Sequence, residues 1–546
     1  MKTAVNLDAL IPREDFFNSS ANADIATGTG GETGKNSASS TDLSVGEMFY
    51  ATLRKPDFQR ETAAWSPQAI CDLVKAFVEG ELIPSIICWQ SPARLSFVID
   101  GAHRLSAIMA WLQDDYGDRD KSVKFYGNKI PEEQRRIAQI TRDLIQKEVG
   151  AYKDYKAESG NPGSNPAITA RQRSLAQSSL TVLWIKGNDP AKAERAFFTI
   201  NQAAVNIDAT ELLILNSRFR PNAISARAIV RNATGHKYWK DFSQDAIADI
   251  ERLGSEIYET LYSPPLIPGS FTDDLPIAGH GYGSPSLPLL FDFVNISIDE
   301  PVVDASRAKR TPKLMLPHAP ADQDKTVFAM KEAWKLATRI TGKQPRSLGL
   351  HPAIYFYSSN GRHQPTAVMA IAAMMRDLEA QDDFIKFSLY RARFEEFLLE
   401  HKSYINQLTV KTGSMSKGFK TVKDYLFLVL KNIYDGKTNQ EIESILNTHQ
   451  YFNFLTRDSL VLSTQSQDFT KKAKNVKFLS DALSKAFRCT ICGAVLDKKS
   501  MNLDHMIDQK NGGLSRIDNG GWSHYYCNSS KDAIKLGGGP APLVRI

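Results

Sequence analysis

Cys489 and Cys492 stand three residues apart near the C-terminal end of the chain, and His524 and Cys527 repeat the same step. Two such pairs, about thirty residues apart, suit a closed tetrahedral zinc site with three sulfurs and one nitrogen. A structural ion makes physical sense, because the 43 residues 489–531 cannot bury much of a core. Between the pairs lie residues that a zinc ribbon does not need. Asp504 and His505 end an apolar stretch, a Gly512-Gly513 turn and Asn519 follow, and Asn528 stands directly after the last cysteine. Near the front, LSFVID runs into GAHRLSAIMAWL, so that Gly101 permits a tight turn and His103 and Arg104 fall in the first turn of a helix. Cations oppose the helix dipole at that end. They make sense there if an anion binds between them, with the amides, Arg104 and His103 as donors. The plainer alternative leaves both side chains pointing to water.

The elements that position these residues are legible in the pattern. Ser66 and Pro67 start a helix over 66–80, with Ile70, Leu73, Val74 and Phe77 at helical spacing. Ile83–Trp89 and Leu95–Ile99 are short apolar runs that read as buried strands, and Leu105, Ile108, Met109 and Leu112 mark the helix after Gly101. An α+β domain over 42–215 is expected. Residues 1–41, Gly/Ser/Thr-rich from 17 onward, read as a flexible leader. Beyond 216 the strand signals fade, which predicts a mainly α-helical middle domain over 216–462. Residues 463–480 read as a basic linker, 481–535 as a small zinc-stabilised domain, and 536–546 as a tail.

With 546 residues the chain has room for about three or four domains. No stretch approaches the ~18 consecutive apolar residues that would span a bilayer. The start, MKTAVNLDALIPRED, has early acids and no sustained apolar run, unlike a secretory signal. Five cysteines exclude a disulfide scaffold and suggest a reducing cytoplasm with one local metal site. Residues 461–546 hold 13 Lys and Arg against 7 acids, which accounts for the whole net charge of +6. A basic terminal module is what a phosphate backbone attracts, although solubility alone also explains so small an excess.

The C-terminal segment resembles the HNH, or ββα-metal, endonucleases. Its landmarks are the cysteine pair, Asp504-His505, Gly512-Gly513, Asn519, Cys527-Asn528 and Lys531, with His524 where that family more often has cysteine. The resemblance implies that His505 is the general base and that Asp504 and Asn528 hold one Mg²⁺ or Mn²⁺. It also implies that Asn519 fixes the loop and orients His505, while Cys489, Cys492, His524 and Cys527 hold structural Zn²⁺. The plainer alternative is a zinc ribbon that only binds nucleic acid.

The front segments resemble the ParB/sulfiredoxin-like nucleotide-binding domain of GmrSD-type restriction enzymes. Gln59-Arg60, Trp65, Pro84, Asp100-Gly101, Arg104, Ile200-Asn201 and Glu211 carry the likeness. That motif usually reads D-G-Q-Q-R, whereas this chain has Ala102 and His103. The resemblance implies a nucleoside triphosphate pocket built from Gln59, Arg60, Asp100, Gly101, His103, Arg104 and Asn201. Together the two ends predict a cytoplasmic, anti-phage restriction endonuclease acting on DNA, including modified or phage DNA, under control of a nucleotide-binding and hydrolysing sensor. The alternative, from another class, is a nucleotide-gated DNA-binding regulator with a silent nuclease site.

Overall fold

A computed structural model describes residues 4–17, 34–163, 165–187, 189–204, 209–267, 270–281, 286–302, 321–413, 415–457 and 468–537. The front domain is built on six strands: β1 (Arg13–Glu14), β2 (Ser37–Ser39), β3 (Leu53–Pro56), β4 (Ile86–Gln90), β5 (Ser96–Asp100) and β6 (Ser179–Ile185). Their order is β1-β3-β5-β4-β6-β2, with β4 antiparallel to β5 and β2 antiparallel to β6 in an otherwise parallel sheet. Successive residues of a strand face opposite sides. Cys88 and Val98 therefore join Ile70, Val74, Leu105 and Ile108 of the covering helices, while Trp89, Phe97 and Ile99 join Phe16 and Phe58 on the other face. Burial on both faces explains why β4 and β5 read as continuous apolar runs. Strand β4 begins only at Ile86, after Pro84, which has no N–H to give a ladder.

Helix α1 (Pro67–Glu79) is capped by the Ser66 side chain, which accepts from the Ala69 amide, and ends at Gly80 with φ of 74°. Helix α2 (Ala102–Gln113) starts directly after Gly101, whose φ of 94° favours glycine. A Cβ at Gly101 would also stand 2.6 Å from Ile86 Cγ2.

The expectation of a flexible leader over 1–41 is corrected for its described parts. Val5, Leu7, Leu10 and Ile11 are buried in the front core, and β1 and β2 are sheet members. Phe16 lies 4.8 Å from Trp89 and 4.9 Å from Phe97, ring centre to ring centre. Asp8 is buried with Arg13 (3.0 Å) and Lys55 (2.6 Å). The apolar positions of 5–16 are too few to show a period, so only tertiary packing reveals them. Residues 18–33 lie outside the described residues.

The middle domain is helical: α3 (Pro221–Val230), α4 (Gln244–Tyr262), α5 (Ser286–Ser297), α6 (Gln323–Ile340), α7 (Pro365–Ala380), α8 (Phe384–Glu400) and α9 (Met415–Tyr434) are its main members. Helix α7, PTAVMAIAAMMRDLEA, is apolar nearly all round and lies at the centre of the core, buried from Thr366 to Met375. The second half of the expected basic linker is also corrected. Residues Lys471–Ser484 form α10, which places Leu479 and Leu483, one helical turn apart, in the middle-domain core and leaves its lysines outward. The first part of that linker, through 467, and the tail from 538 lie outside the described residues.

Buried charges join the domains. Asp57 Oδ2 accepts from Arg218 Nε (2.5 Å), the Asp57 carbonyl accepts from the Tyr238 hydroxyl (2.8 Å), and Arg231 pairs with Glu61. At the other end, Glu395 of α8 accepts from Arg391 Nε (2.8 Å) and from the Tyr355 hydroxyl (3.0 Å). Its second oxygen accepts from the backbone N–H of Val495 in the C-terminal domain (2.7 Å). Among the described residues no helix is long and apolar enough to cross a membrane.

Removing one partner of a buried ion pair leaves the other charge uncompensated, at about 3–5 kcal/mol. Glu395→Ala should cost that much in denaturant unfolding and should make residues 488–535 cleavable by protease. Unchanged stability together with unchanged protease resistance would show that the joint carries no weight.

Candidate functional site

The C-terminal domain is a hairpin, β7 (Met501–His505) antiparallel to β8 (Gly520–His524), followed by the short helices α11 (Tyr525–Ser529) and α12 (Lys531–Leu536). The loop of 489–492 lies beside the turn from β8 into α11. That brings Cys489, Cys492, His524 and Cys527 together, all buried, with ligand atoms within 4.8 Å of one another. His524 Nδ1 faces the sulfurs of Cys492 (3.5 Å) and Cys527 (3.7 Å), while Nε2 lies 3.2 Å from the Val495 carbonyl. That second contact fixes the ring as carbonyl partners fix metal-bound histidines. Burial raises the cost of a thiolate at Cys489, yet the Cys492 and Cys527 thiols hold it well below the usual thiol range. Hydrogen bonding to Cys489 in turn holds Cys492 and Cys527 well above that range. Three crowded, buried thiols ionise together only around a cation, so this donor set is compatible with zinc.

Asp504 and His505 are the last two residues of β7, and Asn528 comes to them from α11. All three line one open cavity of about 580 Å³ together with Asp508 and Lys531. Asn519 closes the loop between the strands: Oδ1 accepts from the Ile507 amide (2.8 Å), and Nδ2 donates to the carbonyls of Ile507 (3.1 Å) and Leu514 (2.9 Å). A Cβ at Gly513 would fall 1.8 Å from the Ile507 carbonyl, so only glycine fits where the loop folds back. Among the described residues the Asn519 side chain bonds to Ile507 and Leu514 and forms no hydrogen bond with His505. The ring of His505 instead places Nε2 3.0 Å from the Ser515 hydroxyl.

Ser515 and Asp508 join the site only through the fold of the loop, and Lys531, a landmark of the resemblance, takes a place in it. Its ammonium lies 2.8 Å from Asp504 Oδ2 and 2.6 Å from Asp508 Oδ1, and donates to the His505 carbonyl. Despite partial burial, the bonds to Asp504 and Asp508 hold its pKa above the ordinary lysine value. Asp508 follows Asp504 by four residues, a spacing without meaning until the loop folds. The oxygen donors of Asp504 and Asn528 suit a hard divalent cation, and the two carboxylates already attract one positive charge.

The front turn is organised differently from expectation. Arg104 Nη2 turns back to Asp100 Oδ2 (2.6 Å) and to the Ser85 carbonyl (3.0 Å). Asp100 thus supplies the anion that a cation at a helix start requires. His103 is half-buried, with Nε2 covered and without a partner, and stacks on Trp65 with ring centres 5.7 Å apart. Gln59 and Arg60 open into a cavity of about 900 Å³ between the front and middle domains, whose lining excludes Asp100, Gly101, His103 and Arg104. Of the seven residues expected in one pocket, Gln59 and Arg60 line this cavity and Asp100, Gly101, His103 and Arg104 do not, although Arg60 stays close enough to act on His103. The side chain of Asn201 lies outside the described residues.

Two outcomes follow from this geometry. Elemental analysis should find about one zinc per chain, because closed four-ligand sites fill stoichiometrically. Cys492→Ser should lose the metal and the protease resistance of residues 488–535; retention of both would refute the assignment. Burial, and then the nearby Arg60, pushes the pKa of His103 from 6.5 down to about 3. The unfolded chain takes up a proton that the folded chain refuses, so stability falls as pH drops from about 6.5 towards 3, by up to about 1.4 kcal/mol per unit. His103→Gln should lose less stability than wild type between pH 7 and pH 5; equal losses would contradict a neutral ring.

Residues 44–219 match the family model of the GmrSD restriction endonuclease N-terminal domain, and residues 489–533 match that of the HNH endonuclease. No curated protein and no solved structure shows significant similarity to the chain. The chain therefore carries a GmrSD-type N-terminal domain and a C-terminal HNH endonuclease domain, a pairing that supports a restriction-type nuclease.

Proposed function

We propose that the protein is a cytoplasmic anti-phage restriction endonuclease that hydrolyses phosphodiester bonds of DNA, including modified or phage DNA. The observation that carries this reading is the convergence of Asp504, His505 and Asn528 on one open cavity beside a closed Cys₃His cluster. With Nε2 on the Ser515 hydroxyl, His505 Nδ1 is the nitrogen left to take a proton from the attacking water. Asp504 and Asn528 would hold Mg²⁺ or Mn²⁺, which when bound supplies positive charge for the phosphate oxygens and the leaving group. Asn519 keeps the 506–514 loop closed, and Lys531 fixes the carboxylates of Asp504 and Asp508. The Cys₃His cluster would hold Zn²⁺ and act structurally.

The front domain would bind, and hydrolyse, a nucleoside triphosphate that gates cleavage. Gln59 and Arg60 offer a polar face to the interdomain cavity, and Asp100, Gly101, His103, Arg104 and Asn201 would shape the neighbouring turn. The free, buried thiols of Cys71 and Cys88 agree with a reducing compartment. A second reading, a nucleotide-gated DNA-binding regulator with a silent nuclease site, draws on the Lys531 ammonium, which already occupies one oxygen of Asp504.

Plasmid incubated with full-length protein and Mg²⁺, with and without nucleotides, separates the readings. Wild type should nick or cut, and His505→Ala should lose ~10²–10⁴ in rate while keeping its zinc. Full cleavage by His505→Ala would move the active site elsewhere. No cleavage of plain or modified DNA by wild type would leave the regulator.

A further inference from the structure

The cavity between the front and middle domains has a buried cationic floor that the proposed nuclease chemistry does not use. Its front wall is the loop carrying Gln59, Arg60 and Glu61, and α3 with the turn after it brings Arg227 and Arg231 from the opposite side. Arg227 is 2% exposed and, among the described residues, forms no ion pair. Its Nη1 reaches only the Arg218 carbonyl at 3.4 Å, and its guanidinium lies 4.3 Å from the centre of the Tyr238 ring. Arg231 commits Nε and Nη2 to one oxygen of Glu61, which leaves Nη1 buried without a partner. The side-chain carbonyl of Gln59 is likewise buried and unpartnered.

Around this floor the buried cations Arg13, Lys55, Arg227 and Arg231 outnumber the carboxylates of Asp8 and Glu61. Burial, and the neighbouring Arg231 and Arg13, accordingly hold Arg227 below the usual guanidinium range. An uncompensated buried guanidinium is costly, and such cost persists where a ligand relieves it. Of the other lining acids, Glu132 and Glu259 are exposed, Glu133 lies 3.6 Å from His280, and Glu211 is half-buried. Tyr126, Tyr238, Tyr258 and Tyr262 supply flat apolar surface. A volume of about 900 Å³ lies within the range of small-ligand sites.

We propose that this cavity binds a nucleoside phosphate, with the phosphate on Arg227 and Arg231 and the base against the tyrosines. The inference rests on the nucleotide reading above and deepens it, because the anion contacts come from the middle domain. The Arg104 guanidinium, by contrast, is already satisfied by Asp100 and Ser85. Such a ligand touches both domains at the joint where Glu61 holds Arg231, so occupancy and the strength of that joint are coupled.

The test is calorimetric titration and thermal unfolding of the full chain with ATP, GTP and inorganic tripolyphosphate. Arg227→Gln should unfold no earlier than wild type without ligand, and should bind nucleotide about 10- to 150-fold more weakly, the value of a charge-assisted contact. Tyr258→Ala, on the half-buried wall, should weaken nucleotide while leaving tripolyphosphate unchanged. Wild-type nucleotide affinity in Arg227→Gln overturns the inference and keeps the nucleotide reading. A wild-type chain that binds neither ATP nor GTP overturns both.

Discussion

A segment of some fifty residues cannot bury enough apolar surface to hold two strands and their loops in place, and the rest of the C-terminal architecture answers that shortage. Its core is small: Ala494, Leu496 and Ile534 around the cysteines, completed by Ile385 and Leu389 borrowed from α8. Its backbone is borrowed too. Val495 is held by Glu395, Tyr526 donates to the Ser347 carbonyl, and Lys499 donates to the carbonyls of Ser263 and Leu275. A Cys₃His cluster that can close around an ion, and a helical domain that supplies the missing wall, together fix the strand end where Asp504 and His505 stand. Those two residues can then remain open to solvent without losing their positions.

Both joints of the chain hold an arginine buried against a carboxylate: at the front the pairs span two units, and at the rear both partners lie on α8, whose Glu395 then accepts from the Val495 amide of the next unit. At the rear, Arg391 is satisfied by Glu395 and by the carbonyls of Leu348 and Gly349, so every group has a partner. At the front, Arg218 and Arg231 clasp Asp57 and Glu61, which flank the Gln59-Arg60 pair in sequence. That front joint is under-satisfied: Arg218 Nη2 and Arg231 Nη1 are buried without partners. A saturated joint suits a rigid mount, and an unsaturated one beside a cavity suits a place where binding changes the balance of forces.

Local signals carried much of this in the sequence. Ser66-Pro67 and Gly80 bound α1 as capping rules expect, and Gly101 marks the start of α2 because no other residue fits its conformation and its contact with Ile86. The Cys₃His cluster was legible because ligand spacing is a local constraint. What escaped depended on distance along the chain. Phe16 reads as leader until Phe58, Trp89 and Phe97 close around it, and α10 reads as a basic tether until Leu479 and Leu483 meet the middle core. Ser515 and Asp508 become site residues only when the Asn519-clamped loop folds back over β7. Arg227 sits in an ordinary helical stretch, and nothing in PNAISARAIV announces a guanidinium buried without an acid.

One hairpin would carry two metal centres of opposite kind, a closed one that builds it and an open one that works. The most direct measurement is Mn²⁺ binding to the zinc-loaded full chain, followed by electron paramagnetic resonance, in wild type and in Asp504→Ala. Wild type should show a Mn²⁺ site that Asp504→Ala abolishes with zinc content unchanged. Equal Mn²⁺ binding by both chains, or loss of zinc in Asp504→Ala, would contradict it.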